Sequence, residues 1–139
     1  MQKIQNYIQG QWAAGEGVEY VAHNAITGED FAEVSSAGMD YAAILDYGRK
    51  VGGPALRKMT FQERGRMLKA LALHLNGLKR KFYDLSWATG ATKVDSWIDI
   101  EGGFGNLFTN ASLRKQFPDL PYYVDGDAVG LSKGGSFIG

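Results

Sequence analysis

The hydrophobic and polar positions between residues 59 and 117 predict two long helices joined by a short turn. Large apolar side chains recur at alternating steps of three and four residues along the first helix, which places them on one face. These side chains are Leu68, Leu71, Leu75, Leu78, Phe82 and Leu85. Thr60 and Glu63 form a capping-box pair ahead of this stripe, and Gly90 follows it as a helix-ending residue. The pattern predicts one continuous helix over 61–88 whose leucine face is buried.

The second helix is predicted over 93–114, and it begins with another capping-box pair, Thr92 and Asp95. Its apolar side consists of Trp97, Ile100, Phe104, Leu107, Phe108 and Ala111. The opposite side consists of Asp99, Gly102, Gly103, Asn106 and Asn110. Each glycine inside a helix costs about 1 kcal/mol relative to alanine, so these positions require a compensating role. Two roles are open: close packing against another backbone, or space left for a ligand.

Period-two alternation dominates the chain before residue 36. Residues 6–12 carry two short apolar pieces about a Gln-Gly pair, which is typical of a tight hairpin. Residues 18–23 and 31–34 alternate as two half-exposed strands with turn residues between them. A two-stranded ribbon is marginal by itself in water, so it is expected to lie on a larger element.

Two further segments border the long helices. Ser35 and Ser36 are N-cap candidates for a third helix over 37–51, and the following Gly-Gly-Pro is expected to end it. After a proline-containing break, residues 122–131 form two strand-like pieces around an Asp-Gly turn.

These elements together predict an α+β fold of long helices with a small antiparallel β-ribbon. The predicted divisions are the ribbon over 1–35, a helical layer over 36–117 and an incomplete set of strands over 118–139. Because the last segment ends without a closing element, we expect this chain to be part of a longer one.

The composition of the chain argues against several classes of function. The chain has 139 residues, 45% of them hydrophobic, which is enough for one compact domain with a core. Fifteen basic and fifteen acidic residues give zero net charge, so no broad basic surface indicates nucleic acid or an anionic membrane. No apolar run is long enough to span a bilayer and no signal peptide opens the sequence, so we expect a cytoplasmic protein.

The titratable residues form no recognisable catalytic or metal-binding pattern. The chain has no cysteine, which removes disulfides, thiolate metal sites and cysteine nucleophiles. His23 and His74 are its two histidines, and neither stands at metal-ligand spacing from acidic residues. The glycine-rich residues 102–105 fall inside a helical pattern, so they do not form a nucleotide-binding loop. We therefore predict no catalytic, cofactor-binding or metal-binding residue in this chain.

Several stretches, taken in order, resemble the N-terminal portion of the aldehyde dehydrogenase superfamily. They are NYIQGQW, HNAITGEDFAEV, ALRKMTFQERGRMLKALALHL and LSWATGAT. The longer stretch TGATKVDSWIDIEGGFGNLFTNASL resembles the branch that acts in phenylacetic acid degradation, where the dehydrogenase is fused with a hot-dog-type hydratase domain. The related semialdehyde dehydrogenases of aerobic aromatic-CoA pathways are near alternatives. Ala25 stands where the superfamily usually has proline, and Ala91-Thr92 replace a Lys-Pro pair; both departures also occur in that branch.

The resemblance implies the N-terminal part of an α/β aldehyde dehydrogenase fold. The implied enzyme attacks an aldehyde with a cysteine thiolate and passes hydride to NADP or NAD, and its substrate is a CoA-linked semialdehyde. The cofactor-binding residues and the nucleophile of that family lie beyond residue 139, so no cofactor is expected on this chain. The helix over 93–114 corresponds to one that borders the aldehyde tunnel, which implies tunnel-facing positions at Asp99, Gly103 and Asn106.

The resemblance also implies partners for the exposed surfaces. The rest of the same polypeptide and further copies of it, in a homo-oligomer, are the expected ones. Residues 118–139 would then be the start of the strands through which the subunits associate. The alternative hypothesis is a free-standing helical module for interaction or oligomerisation, without catalysis, that presents the face from Trp97 to Phe108 to a partner.

Overall fold

The computed structural model describes residues 1–127 and 129–137, and their fold is mixed α+β. Short strands come first, helices occupy the middle of the chain, and a hairpin follows them. The strands are β1 (Gln2–Lys3), β2 (Asn6–Ile8), β3 (Gln11–Ala13), β4 (Tyr20–His23), β5 (Asp30–Val34), β6 (Val129–Ser132) and β7 (Gly135–Phe137). The helices are α1 (Tyr41–Tyr47), α2 (Gly53–Lys58), α3 (Phe61–Gly77), α4 (Lys79–Trp87) and α5 (Lys93–Ser112).

The first hairpin confirms the prediction for residues 6–12. Strands β2 and β3 pair antiparallel, with Tyr7 opposite Trp12 and their rings 5.1 Å apart. Gln9 and Gly10 both have positive φ, 50° and 85°, which is the backbone of a tight two-residue hairpin turn.

The second sheet contains one strand more than predicted. Strands β4 and β5 pair antiparallel as expected, and β1 adds to β5 in parallel, giving the order β1-β5-β4. The ribbon is therefore a mixed three-stranded sheet beside a hairpin. A two-residue strand is too short to produce a periodic signal in the sequence, so the pattern did not indicate β1.

The predicted helix over 37–51 is wrong at both ends. Asp40 is the N-cap, because its carboxylate accepts the Ala43 N–H at 2.9 Å. Ser35 instead donates to the Glu16 carbonyl at 2.6 Å, and the Ser36 N–H donates to the Glu19 carboxylate at 2.6 Å.

The Gly-Gly-Pro sequence does not end the helical segment. A π-helical stretch, Gly48–Gly52, connects α1 to α2, so helical backbone continues to Lys58. Pro54 lies in the first turn of α2, where a missing N–H costs little.

The prediction of one continuous helix over 61–88 is also wrong. The Thr60–Glu63 capping box forms, but α3 ends at Gly77 and α4 begins at Lys79. Leu78 lies between them with φ −95° and ψ 1°, and its N–H donates to the Leu75 carbonyl at 2.9 Å. The break follows Asn76 and Gly77, two of the weaker helix formers, which the leucine periodicity alone did not reveal.

Helix α5 nearly matches the prediction over 93–114. The Thr92–Asp95 capping box forms, and the α-helix ends at Ser112 before a short 3₁₀ turn, Leu113–Gln116. Gly90, between α4 and α5, has φ +80°, as expected for a glycine just past a helix end.

The C-terminal strands pair differently from the prediction. Strands β6 and β7 form an antiparallel hairpin around Lys133 and Gly134, whereas residues 122–127 form no strand. The Tyr123 ring instead packs on Phe117, 5.3 Å away, so this segment lies against the helices. Ala128, inside the predicted strand, lies outside the described residues. The role of these strands in oligomerisation stays a prediction.

The helical core is small and centres on the contact between α3 and α5. Gly65 and Ala72 of α3 are buried, together with Phe104 and Ala111 of α5. An added Cβ on Gly65 would lie 2.8 Å from the Ala111 carbonyl oxygen and 2.7 Å from the Arg114 Cβ. The two backbones therefore approach to a distance that only glycine permits.

The leucine face of α3 and α4 is only partly covered, contrary to the prediction. Leu71 is 45% exposed and Leu85 is 54% exposed. The accessible surface is 10307 Å², whereas a compact monomer of this mass would expose about 7,100 Å². No helix within residues 1–127 and 129–137 combines the length and apolar character needed to span a membrane.

Replacing Gly65 with alanine is expected to destabilise the protein by about 1–3 kcal/mol, because the new methyl group overlaps backbone that cannot move cheaply. Gly105→Ala is the matched control, since a Cβ there meets none of the described residues within 4 Å. The control is expected to stabilise the helix by about 0.5–1 kcal/mol. Urea unfolding of the three proteins measures both effects. Equal midpoints for wild type and Gly65→Ala would contradict the close approach.

Candidate functional site

A groove of about 570 Å³ lies between α4 and α5 and extends to the end of α3. Its walls are mainly apolar, and Phe104, only 8% exposed, lies beneath it. The apolar lining residues are Leu75, Phe82, Leu85, Ile100, Gly103, Phe104 and Leu107. The Phe82 and Phe104 rings are 6.0 Å apart, which holds the two helices together under the groove.

Three polar side chains line the same groove near the turn that joins α4 to α5. Ser86 lies in the last turn of α4, Thr89 lies just past its end, and Asp99 lies on α5. The Ser86 hydroxyl is 2.8 Å from the hydroxyl of buried Ser96, which fixes α4 against α5 at this end. The groove therefore combines apolar walls with oxygen atoms at one end.

The glycines of α5 leave open space around them. An added Cβ at Gly102, Gly103 or Gly105 would meet nothing within 4 Å in the part of the chain that the structure describes. No backbone of that part packs closely against these glycines, and both predicted roles, close packing against a further backbone and space for a ligand, stay predictions. Of the three, Gly103 lines the groove, where its missing side chain widens the space.

The structure brings two of the three predicted tunnel residues together. Asp99 and Gly103 both line the groove. Asn106 is exposed and does not line it; its side-chain oxygen accepts from the Asn110 amide at 2.7 Å. The role of all three in a substrate tunnel stays a prediction. Sequence reasoning missed Ser86 and Thr89, because both lie beside the leucine stripe, where no motif distinguishes them.

A polar cluster joins the same two helices outside the groove. The Tyr83 hydroxyl donates to Glu101 at 2.9 Å, and the Lys79 ammonium lies 3.3 Å from the same oxygen. The Tyr83 hydrogen bond, followed by that of Lys79, holds the pKa of Glu101 below its ordinary value. Burial and the adjacent Glu101 carboxylate raise the pKa of Tyr83.

A second cavity, of about 440 Å³, lies on this side of the helix pair. It is lined by Tyr83, Asp84, Trp87, Ala91, Lys93 and Ser96. Its lining combines aromatic rings with side chains of opposite charge, and this combination favours no single class of ligand.

No metal centre appears among the residues that the structure describes, since none of their His, Asp and Glu side chains gather in groups of three or more. His23 pairs with Asp30, Nδ1 to Oδ1 at 2.6 Å, on the exposed surface of the second sheet. The groove itself is lined by one carboxylate and two hydroxyls without a histidine or a lysine. This arrangement is suited to holding part of a substrate, whereas the chemistry of a nucleophile or a cofactor is not visible in it.

The chain is similar to the 3,4-dehydroadipyl-CoA semialdehyde dehydrogenase of Aromatoleum evansii, with 33% identity over 138 residues. The match covers 99% of this chain and 27% of that protein, so the chain spans about a quarter of the length of the curated relative. No protein-family model matches the chain. The similarity supports a relationship with the aldehyde dehydrogenases, and the mixed α+β fold is consistent with the N-terminal part of one.

Replacing Tyr83 with phenylalanine is expected to change how stability depends on pH in the acidic range. A carboxyl whose pKa is lowered by folding contributes stability above its ordinary pKa and loses it as the pH falls through the lowered value. The stability difference between wild type and Tyr83→Phe should therefore be constant near neutral pH and shrink below the ordinary glutamate pKa. Urea midpoints at a series of pH values measure it.

The control for that experiment is Tyr20→Phe, since Tyr20 is 64% exposed on β4. The urea midpoint of Tyr20→Phe should change with pH in the same way as that of wild type. A difference between wild type and Tyr83→Phe that stays the same down to pH values below the Glu101 titration would contradict the link between the two residues.

Proposed function

We propose that this chain supplies the N-terminal part of an NAD(P)-dependent aldehyde dehydrogenase that oxidises a CoA-linked semialdehyde. The similarity to the CoA-semialdehyde dehydrogenase, which extends over almost the whole chain, is the observation that carries this proposal. The superfamily resemblance of the hairpin, of the start of α3 and of the α4–α5 turn supports it independently.

The biological setting that we propose is aerobic phenylacetate catabolism. The stretch from Thr89 to Leu113 resembles the phenylacetic acid degradation protein PaaZ, in which a dehydrogenase is fused with a hydratase domain. The substrate would then be the semialdehyde released by hydrolytic ring opening of an oxepin-CoA. We expect the full-length protein to act in the cytoplasm as a homo-oligomer.

The role proposed for these residues is to hold substrate while the reaction takes place on other parts of the protein. Cysteine is absent from these residues, so the thiolate that attacks the aldehyde in this family is proposed to lie elsewhere in the full-length polypeptide. NAD or NADP supplies a hydride acceptor when bound. The Gly102–Gly105 backbone is helical and forms no phosphate-binding loop, so the nucleotide is proposed to bind outside this chain.

Space at Gly103 supports a bulky substrate. The groove is about 570 Å³, which lies within the range of about 300–1,000 Å³ typical of small-molecule sites. A side chain at position 103 would project into that space, so its absence suits an aldehyde that carries a long acyl-CoA rather than a small one. Asp99 and Asn106 are the other proposed tunnel residues, of which Asp99 lines the groove.

A free-standing interaction module remains the second candidate. The exposed apolar side chains on α4 and α5 favour it, since patches of this kind often mark interaction sites. They include Leu85, Trp87, Val94, Trp97 and Ile98, each more than half exposed. The two candidates differ in the gene: a reading frame that continues past residue 139 into dehydrogenase motifs supports the enzyme, and a stop codon supports the module.

Replacing Gly103 with leucine in the full-length protein is expected to raise KM for a CoA-linked semialdehyde by about tenfold or more, because the side chain occupies the groove. KM for a small aldehyde such as propanal should change little. Gly105→Leu is the control, since it adds the same side chain to α5 outside the groove. Reduction of the nicotinamide, followed by absorbance, gives both constants. Equal effects on the two substrates would refute the role of Gly103.

The 139 residues alone are expected to have no dehydrogenase activity and no tight binding of nicotinamide cofactors. They are also expected to self-associate, because many large apolar side chains, among them Trp87 and Trp97, are exposed. A turnover assay and light scattering test these expectations. An active segment, or a monomer that stays soluble at high concentration, would favour the free-standing module.

A further inference from the structure

The polar atoms that line the groove between α4 and α5 are oxygens, with no cation among them in the described residues. Among its lining residues Asp99 is the single charged side chain, and neither lysine, arginine nor histidine joins it in the part of the chain that the structure describes. A phosphate or carboxylate placed here would meet a carboxylate of the same sign and no compensating charge. The groove is therefore unsuited to an anionic group.

The Thr89 hydroxyl is already committed as a donor, which leaves its acceptor sites open. Thr89 donates its hydroxyl proton to the Ser86 carbonyl at 2.7 Å, so the oxygen has lone pairs left to accept. The Ser86 hydroxyl shares one hydrogen bond with Ser96 at 2.8 Å. Asp99, exposed at the groove, accepts through its carboxylate oxygens. A ligand that fits offers N–H donors between apolar stretches.

Coenzyme A contains one portion with that chemistry. Its nucleotide end carries phosphates, whereas its pantetheine arm is uncharged and contains two secondary amides, a secondary hydroxyl, a dimethyl-substituted carbon and short methylene chains. The amides offer N–H donors to the acceptors of the groove, and the methylenes suit the walls formed by Leu85, Ile100 and Leu107.

We propose that this groove holds the pantetheine arm of the CoA-linked substrate, with Asp99 and Thr89 accepting hydrogen bonds from its amide N–H groups. The proposal rests on the function proposed above and assigns to this chain the uncharged part of the substrate. The phosphates then lie outside the groove, away from Asp99.

Charge reversal at Asp99 separates this proposal from one in which the groove receives the nucleotide end. Asp99→Lys removes an acceptor and adds a cation, so it should weaken binding of pantetheine by about tenfold or more, the cost of losing a hydrogen bond to a charged group. Asp99→Asn keeps one acceptor oxygen and should weaken it less. Adenosine bisphosphate, which carries only the nucleotide end, should bind the Asp99→Lys protein no better than wild type.

The measurement is calorimetric titration of the full-length protein with pantetheine and with adenosine bisphosphate. Asp84→Lys and Asp84→Asn are the matched controls, because Asp84 lies on α4 and lines the other cavity. Both controls should bind pantetheine as wild type does. Circular dichroism checks that each variant is folded, and the partly conservative Asp99→Asn provides a second test if the charge reversal unfolds the protein.

Three results would overturn the inference: no binding of pantetheine to wild type, equal losses in the Asp99 and Asp84 variants, or tighter binding of adenosine bisphosphate by Asp99→Lys. Dehydrogenase activity is measured separately, by the turnover assay. Oxidation of a CoA-linked semialdehyde without Asp99-dependent pantetheine binding would refute this inference alone. Asp99-dependent binding in a protein without dehydrogenase activity would refute the proposed function and keep the ligand assignment.

Discussion

The close approach of α3 and α5 at Gly65 is the contact on which the helical part of the molecule depends. Ala72 is fully buried in this contact, and Ala111 is 1% exposed. The Arg114 guanidinium donates to the Ala111 carbonyl at 2.7 Å, and Gln62 donates to the Arg114 carbonyl at the same distance. The start of α3 and the end of α5 are therefore held together by small side chains and by hydrogen bonds to backbone carbonyls rather than by a large apolar core.

Most apolar side chains of the chain lie outside this small core. The stacked rings of Phe61 and Phe117, 4.7 Å apart, extend it in one direction. In the other direction, the break at Leu78 separates α4 from α3, and α4 packs mainly on α5 through Phe82 and Ser86. The groove exists because of that second contact: α4 and α5 touch at Phe104 below and at Ser96 at one end, and the space between remains open.

Sequence reasoning predicted the features that depend on a few adjacent residues. The two capping boxes, the Gln-Gly hairpin and the glycine after α4 each follow from local hydrogen bonding or backbone geometry, which neighbouring residues determine. The wrong predictions concern features that depend on contacts between residues far apart in the sequence. Ser35 and Ser36 are good caps by composition, but Glu16 and Glu19 take their hydrogen bonds, and Asp40 becomes the cap.

The same distinction applies to the groove. The helical period placed Asp99 and Gly103 on one side of α5, and both line the groove, but it could not show what stands opposite them. Ser86 and Thr89 come from α4, and their position depends on the break at Leu78, which the leucine stripe concealed. Asn106 shares the helical side with Asp99 but bonds to Asn110 along the helix, outside the groove. A residue of α5 must therefore lie on this side of the helix to line the groove, but not every residue on this side does so.

The glycines of α5 give the strongest reason to look for an occupant of the space beside that helix. Three of them lie inside a twenty-residue helix, each at a cost of about 1 kcal/mol, and none lets another described part of this chain come closer. Gly65, in contrast, has a structural reason within the chain, since its missing Cβ admits the Ala111 carbonyl. Such a cost is expected to be offset by a contact outside the described residues, made either by another part of the polypeptide or by a ligand. At Gly103, beside Asp99 and the hydroxyls, the substrate arm proposed for the groove would provide that contact.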